Sequence, residues 1–141
     1  MSDRVEEFIV EAREHLAAVE DCLLALEKPS GAADASGQVD RCFRSIHSIK
    51  GDAGFLGFRR IHELAHAMET LLNSIHGSPP TRSVEVLLSA RDRLAVLVDD
   101  PRRSQSEEIG DVLAQLDSYL ATDQRTSIDV DLFDWNAANP G

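Results

Sequence analysis

The chain has 141 residues, of which 43% are hydrophobic and 5% aromatic, and it carries a formal net charge of −11 at pH 7. This length and apolar content allow one small domain with a single core. The acidic charge and the lack of clustered Lys and Arg exclude nucleic acid and anionic membranes as partners, and no apolar run is long enough for membrane insertion or for a secretory signal.

Hydrophobic residues that recur at intervals of three and four predict five helices. These cover about residues 2–27, 38–56, 58–75, 81–98 and 104–121. Pro, Gly or small polar residues separate them. Short connections between long helices favour antiparallel neighbours. We therefore expect an all-α fold in which residues 38–121 form an antiparallel up-down four-helix bundle, with the additional N-terminal helix packed across one end.

We interpret residues 1–121 as one domain and residues 122–141 as an acidic linker or tail. Within this tail, residues 128–135 mix acidic and aromatic side chains. They resemble either the start of a linker or a short docking segment, and the polar composition favours the linker.

Two cysteines, Cys22 and Cys42, lie in or near apolar helical faces. Neither belongs to a CxxC pair or to a spacing typical of metal ligands. We therefore predict free thiols and a cytoplasmic location, because disulfides are rare in a reducing compartment.

The segment between His47 and Glu69 carries the most chemical information. On a helix, His47 lies at the border of the apolar face, where its ring is half supported and half exposed. Gly51 and Gly54 follow on the same stripe, although each costs about 1 kcal/mol relative to alanine inside a helix. We predict that these glycines allow a second molecule to approach, and that Lys50, about one turn away, brings a positive charge to an anion on the ring.

The next predicted helix presents a polar stripe along one border of its apolar face, formed by His62, His66, Glu69 and Asn73. A carboxylate on this stripe could accept a hydrogen bond from Nδ1 of His47. That bond would fix the tautomer of the ring and leave the lone pair of Nε2 pointing outward, which makes the ring a better nucleophile.

The segments HSIKGDAGFLGF and LAHAMETLL resemble the histidine phosphotransfer (HPt) domain, most closely the N-terminal domain of chemotaxis-type histidine kinases. The residues that stand at the family's spacing are His47, Lys50, Gly51, Gly54, Phe58, His66 and Glu69. The segment FIVEAREHLAAVEDCLLALE is similar to the first helix of that family. The resemblance covers about residues 5–120, which is nearly the whole chain.

This resemblance implies that His47 is the phosphoacceptor, that Glu69 hydrogen-bonds its ring, and that Lys50 and His66 complete the polar surround. The chain departs from the family at Asp52, where a small residue is more common. We expect this change to alter the surface offered to a partner, and we take Arg44, Asp52 and Phe58 as the candidate docking residues.

The resemblance also implies a phosphocarrier in a two-component phosphorelay. A histidine kinase catalytic domain would phosphorylate His47, and an aspartate of a response-regulator receiver domain would take the phosphoryl group. The chain has no Walker or kinase glycine motif, so we expect no cofactor in it, with ATP and Mg²⁺ supplied by the partner domains. The chain would be either an N-terminal fragment of a larger chemotaxis-type kinase or a free-standing phosphotransfer protein.

Two other functions compete with this interpretation. Residues 62–66 match H-E-x-x-H, the motif of zinc metalloproteases, but a catalytic zinc needs a third ligand and a substrate cleft, and only His76 follows. We therefore expect no metal site, and we expect His62 to be solvated. The second alternative is a helical interaction module that works without phosphorylation, against which the retention of His47, Lys50 and Glu69 argues.

Overall fold

The computed structural model describes residues 2–28, 32–75 and 81–119. These residues form helices without any strand. The helices are α1 (Ser2–Leu26), α2 (Ala32–Leu56), α3 (Arg59–Ser74), α4 (Thr81–Asp99), the single turn α5 (Pro101–Ser104) and α6, described over 110–119. The prediction of an all-α fold is confirmed. The predicted break at 76–80 and the predicted tail at 122–141 lie outside the described residues.

The four long helices, α1 to α4, pack into the bundle around one core. Helix α1 packs most extensively against α2 and also contacts α4, and α3 lies between α2 and α4. The expectation that α1 packs across one end is therefore wrong. Its buried positions recur every three or four residues from Phe8 to Leu23, so its apolar stripe is long enough to lie alongside two neighbours.

The turn between α2 and α3 determines how these helices face each other. Gly57 adopts a positive φ of 83°, which glycine reaches without steric cost. Its N–H donates to the carbonyl of Gly54 at 3.3 Å, and the N–H of Phe58 donates to Ala53 at 2.8 Å. This is the Schellman pattern of a helix end, and it folds α3 back along α2.

Gln105 fastens this turn from a distant part of the chain. Its side-chain oxygen accepts a hydrogen bond from the N–H of Arg59 at 2.9 Å, and its side-chain nitrogen donates to the carbonyl of Gly57 at 2.9 Å. The first N–H groups of a helix have no partner within it. Gln105 therefore caps α3, which has no side-chain cap from Phe58.

Phe58 is part of the core and not of a docking surface, contrary to the expectation from sequence. It is 7% exposed, and its ring centroid lies 5.5 Å from that of Phe8. The aromatic side chain that does face solvent is Phe55, which is 80% exposed.

The helix boundaries differ from the predictions by more than one residue in two places. Helix α2 begins at Ala32 instead of residue 38. The residues before 38 include alanines, which have the highest helix propensity, and Gly37 costs only about 1 kcal/mol inside a helix. The helix expected over 104–121 is interrupted. The carboxylate of Asp100 caps α5, with Pro101 in its first turn, and helix resumes only at 110.

The last helix, α6, also packs against the core of the bundle. Helix α6 buries Val112 and Leu116 against the core, and Ile109, just before the helix, is buried with them. Cys22 and Cys42 are both buried free thiols, as predicted, and burial, together with the neighbouring Cys22, raises the pKa of Cys42 to about 12.

No helix in the described ranges has the length and hydrophobicity that crossing a membrane requires.

The two phenylalanines near the turn should differ sharply in their contribution to stability. Phe58→Ala should lower the free energy of unfolding by about 3–5 kcal/mol, as expected for an aromatic ring removed from a core. The matched control Phe55→Ala should change it by less than about 0.5 kcal/mol, because the side chain is at the surface. Urea denaturation followed by circular dichroism measures both. If both variants changed the free energy of unfolding by the same small amount, Phe58 would not be a core residue.

Candidate functional site

The site is built on the imidazole of His47, which stands on the exposed side of α2. Its side chain is 60% exposed, although Ile46 and Ile49 beside it are fully buried. Nδ1 of the ring lies 2.6 Å from Oε2 of Glu69 on α3. The ring is therefore hydrogen-bonded to the neighbouring helix through one nitrogen, while more than half of the side chain faces solvent.

Glu69 links both helices at this point. Its side chain is only 12% exposed, and its second oxygen, Oε1, accepts a hydrogen bond from Nζ of Lys50 at 2.7 Å. The side chain of Lys50 is itself 19% exposed. The structure thus brings His47, Lys50 and Glu69 together, and both carboxylate oxygens have a partner. The expected action of Lys50 on an anion at the ring stays a prediction.

The carboxyl of Glu69 is held in its charged form. Burial on its own would raise the pKa of this group, but the hydrogen bonds from Lys50 and His47 and the charges of both residues outweigh burial and lower the pKa. Glu69 is therefore a carboxylate at neutral pH.

An ionised carboxylate determines the protonation of the ring that it contacts. Because a carboxylate only accepts hydrogen bonds, Nδ1 of His47 must carry the proton that joins it to Glu69. In the neutral ring, Nε2 then holds a lone pair and faces away from Glu69. Nε2 therefore has a free lone pair on a side chain that is exposed to solvent.

Phe43 also contacts the ring of His47, which sequence analysis missed. The two ring centroids lie 6.0 Å apart with an interplanar angle of 12°. Phe43 precedes His47 by one helical turn, where side chains on the same face meet. That spacing was the available signal. The stacked ring of Phe43 limits the orientations that the imidazole of His47 can adopt.

The two histidines of α3 stack on each other. His66 is exposed and stacks on His62, with centroids 6.3 Å apart. Among the described residues, no hydrogen bond or ring contact joins its side chain to His47 or Glu69, so its place in the polar surround stays a prediction. His62, which was expected to be solvated, lies with Nδ1 3.1 Å from the backbone carbonyl of Lys50.

The two glycines on the His47 stripe occupy different environments. A Cβ on Gly51 would meet nothing within 4 Å, so this position leaves open space one turn from His47. A Cβ on Gly54 would lie 3.0 Å from Nδ1 of His62. The expectation that Gly54 leaves room for a second molecule is therefore wrong, because the side chain of His62 fills that place.

The other candidate residues lie around this stripe. Arg44, one turn before His47, pairs with Asp40 at 2.9 Å, and both side chains are exposed. Asp52 and Phe55 line a shallow groove between α1 and α2. Arg44 and Asp52 thus remain predictions as docking residues, and Phe55 joins them as a residue that sequence analysis missed.

The H-E-x-x-H segment uses its side chains for contacts within the protein. Glu63, the residue that would act as base in a zinc protease, pairs with Arg60 at 3.3 Å. Nδ1 of His62 donates a hydrogen bond to the backbone carbonyl of Lys50. The described ranges contain no group of three or more His, Cys, Asp or Glu side chains placed to hold a metal ion.

The lowered pKa of Glu69 predicts how its contribution to stability depends on pH. Glu69→Gln should destabilise the domain at pH 7 by about 1–3 kcal/mol, because Lys50 loses its charged partner. The charged form contributes fully above the ordinary pKa of 4.5 and loses its contribution as the pH falls through the lower folded value. The difference between wild type and variant in urea denaturation should therefore narrow below pH 4.5. If the difference in the free energy of unfolding stayed constant from pH 7 to pH 3, the charge of Glu69 would not contribute to stability as predicted.

The chain is similar in sequence to chemotaxis proteins named CheA. The chemotaxis protein CheA of Listeria monocytogenes is 32% identical over 130 residues, which cover 88% of this chain and 20% of that protein. CheA of Halobacterium salinarum is 34% identical over 99 residues, covering 70% of this chain and 14% of that protein. The chain therefore spans about a fifth or less of the length of these relatives.

A solved structure and a family model agree with these relatives. The phosphorylated P1 domain of CheA3, in complex with CheY6 from R. sphaeroides, matches with a TM-score of 0.75 at 28% identity, covering 86% of this chain and 98% of that one. The model of the Hpt domain matches residues 3–120. With nearly its whole length matched, the chain belongs to the Hpt domain family.

Proposed function

We propose that this domain is a phosphoryl carrier whose acceptor atom is Nε2 of His47. The hydrogen bond between Nδ1 and the carboxylate of Glu69 is the observation that carries the proposal. It fixes the tautomer in which Nε2 has a free lone pair, on a side chain that is 60% exposed. Exposure matters because the donor and the receiver of the phosphoryl group are both large.

In the first transfer, a kinase catalytic domain would donate the phosphoryl group of ATP to His47. Nε2 attacks the γ-phosphorus of ATP, so that an N–P bond forms and the P–O bond to ADP breaks. The ring becomes positively charged because it keeps the proton on Nδ1, and the carboxylate of Glu69 lies 2.6 Å away to stabilise that charge. The kinase domain supplies ATP and Mg²⁺.

The second transfer returns the ring to its starting state. A carboxylate oxygen of an aspartate on a receiver domain attacks the phosphorus, an O–P bond forms, and the N–P bond breaks with its electron pair returning to Nε2. The solved P1 domain similar to this chain was captured phosphorylated and together with CheY6. This supports a response-regulator receiver domain as the second partner.

The chain itself would act as a carrier and not as an enzyme. We assign the kinase activity to a catalytic domain of a larger chemotaxis-type histidine kinase, since the relatives are several times longer than this chain. The proposal places the domain in the cytoplasm, where ATP and such receivers are found. Arg44, Asp52 and Phe55 would contribute to the surface on which the two partners dock.

Phosphorylation by a cognate kinase and ATP tests the acceptor directly. The wild-type domain should gain an acid-labile, base-stable phosphoryl group, as expected for phosphohistidine, and His47→Gln should gain none. His15→Gln, on α1, serves as the matched control and should be labelled like the wild type. Label that persists in His47→Gln would exclude the assignment. A wild-type domain that is never labelled would favour the interaction module instead.

The open space at Gly51 predicts a second, paired result. Gly51→Leu should stabilise the isolated domain slightly, because leucine favours helix by about 1 kcal/mol over glycine. It should nevertheless slow phosphorylation by the kinase domain by about 10-fold or more, equivalent to about 1.4 kcal/mol, because the leucine meets the docking partner.

Two controls separate this obstruction from other effects. Gly37→Leu, also on α2 with nothing within 4 Å of its Cβ, should gain the same stability without slowing transfer. Phosphoramidate, a small donor, should phosphorylate Gly51→Leu at close to the wild-type rate. If both donors slow equally, residue 51 acts on the ring of His47, and the proposed role of Gly51 in partner access is wrong.

A further inference from the structure

His62 has no role in the transfer chemistry proposed above, yet the structure holds it in a defined place between α2 and α3. Its Nδ1 lies 3.1 Å from the carbonyl oxygen of Lys50, and its ring stacks on that of His66. A carbonyl oxygen accepts hydrogen bonds and cannot donate them, so Nδ1 of His62 carries the proton in this contact. The ring thus donates to the backbone of the opposite helix.

This hydrogen bond depends on the absence of a side chain at position 54. In an α-helix the carbonyl of residue 50 accepts from the N–H of residue 54, so the side chain of residue 54 lies close to that carbonyl. A Cβ on Gly54 would stand 3.0 Å from Nδ1 and 3.4 Å from Cε1 of His62. Gly54 and His62 are therefore complementary: the glycine leaves the space that the imidazole occupies.

The residue that receives this hydrogen bond is also a member of the site. Lys50 offers its carbonyl to His62 and its ammonium group to Glu69, at 3.1 and 2.7 Å. On α3, His62 precedes Glu69 by two turns, roughly 10 Å along the helix axis. The two helices are thus connected twice, once through the backbone of Lys50 and once through the carboxylate of Glu69.

We propose that His62 is a positioning residue, which fixes the register of α3 against α2 and so holds Glu69 on Nδ1 of His47. This inference rests on the proposed function for its effect on phosphorylation, and on geometry alone for its effect on the ring. A hydrogen bond of 2.6 Å to an exposed imidazole tolerates little sliding between the helices. The contact of His62 with the Lys50 backbone opposes that sliding close to the site.

The first test is a double-mutant cycle in the full chain. Gly54→Ala should displace the ring of His62, so it should raise the melting temperature less in the wild type than in a His62→Ala background. Gly51→Ala is the matched control, because the same change at an open position should raise the melting temperature equally in both backgrounds. Equal effects of Gly54→Ala in both backgrounds would overturn the proposed pairing of Gly54 with His62.

The second test separates positioning from a merely structural role. The ¹⁵N chemical shifts of the His47 ring report which nitrogen carries the proton. In His62→Ala they should move toward the averaged values of a free imidazole, and His62→Asn, whose side-chain N–H can still reach the Lys50 carbonyl, should restore them. Shifts that stay at the wild-type values in His62→Ala, or that His62→Asn does not restore, would overturn the proposal even if the melting temperature falls.

The rate of phosphorylation completes the experiment. His62→Ala should slow the reaction of His47 with phosphoramidate by about 3-fold to 10-fold, less than the roughly 100-fold that a displacement of about 1 Å costs. An unchanged rate would contradict the inference. If the wild type itself is not phosphorylated, the proposed function fails, whereas the chemical shifts and the double-mutant cycle still decide whether His62 positions the ring.

Discussion

The site depends on one nearly buried carboxylate with two partners on the neighbouring helix. A charged group removed from water is tolerated only when its oxygens are hydrogen-bonded and its charge is compensated. Lys50 provides the compensating charge to Glu69, and His47 provides the second hydrogen bond. The hydrogen bond from Nδ1 of His47 satisfies an oxygen of a nearly buried carboxylate. Breaking this bond would leave that oxygen without a partner, and this cost holds the imidazole in place. This is how a side chain that faces solvent acquires a defined tautomer.

The carboxylate meets its partners only if α2 and α3 keep their register, and several distant contacts serve that purpose. The positive φ of Gly57 reverses the chain, and Gln105 ties both sides of the turn. Phe58 then enters the core beside Phe8. His62 adds a contact closer to the site. The bundle thus fixes the register at the turn, in the core and along the helix interface, and the separation between His47 and Glu69 follows from all three.

Sequence periodicity predicts the borders of the apolar face of each helix and misses most of the contacts between helices. A carboxylate on Nδ1 of His47 was predictable, because His47 and the polar stripe of the next helix lie on the borders of consecutive antiparallel helices, and the family resemblance implied that Glu69 is this carboxylate. The place of α1 was not, since the spacing of Phe8 to Leu23 shows which face is apolar but not which helix it meets. Phe58 was misplaced because a residue after a glycine turn can point either way. The contact of His62 joins a side chain to a distant backbone carbonyl through the gap at Gly54, and no pattern along the chain encodes it.

The charges of the site also explain why a carrier of this design would release what it accepts. The charges of Lys50 and Glu69 cancel, so with a neutral His47 the site has no net positive charge with which to retain an anion. After transfer, the cationic ring keeps its hydrogen bond to Glu69, which it shares with Lys50, and the phosphoryl group faces solvent on a chain whose net charge is −11. Strong local retention would lower the free energy of the phosphorylated form and slow the next step. For the function proposed above, the arrangement would stabilise the ring and leave stabilisation of the phosphoryl group to the metal ion and side chains of each partner, so that the partners and not the carrier would determine the direction of transfer.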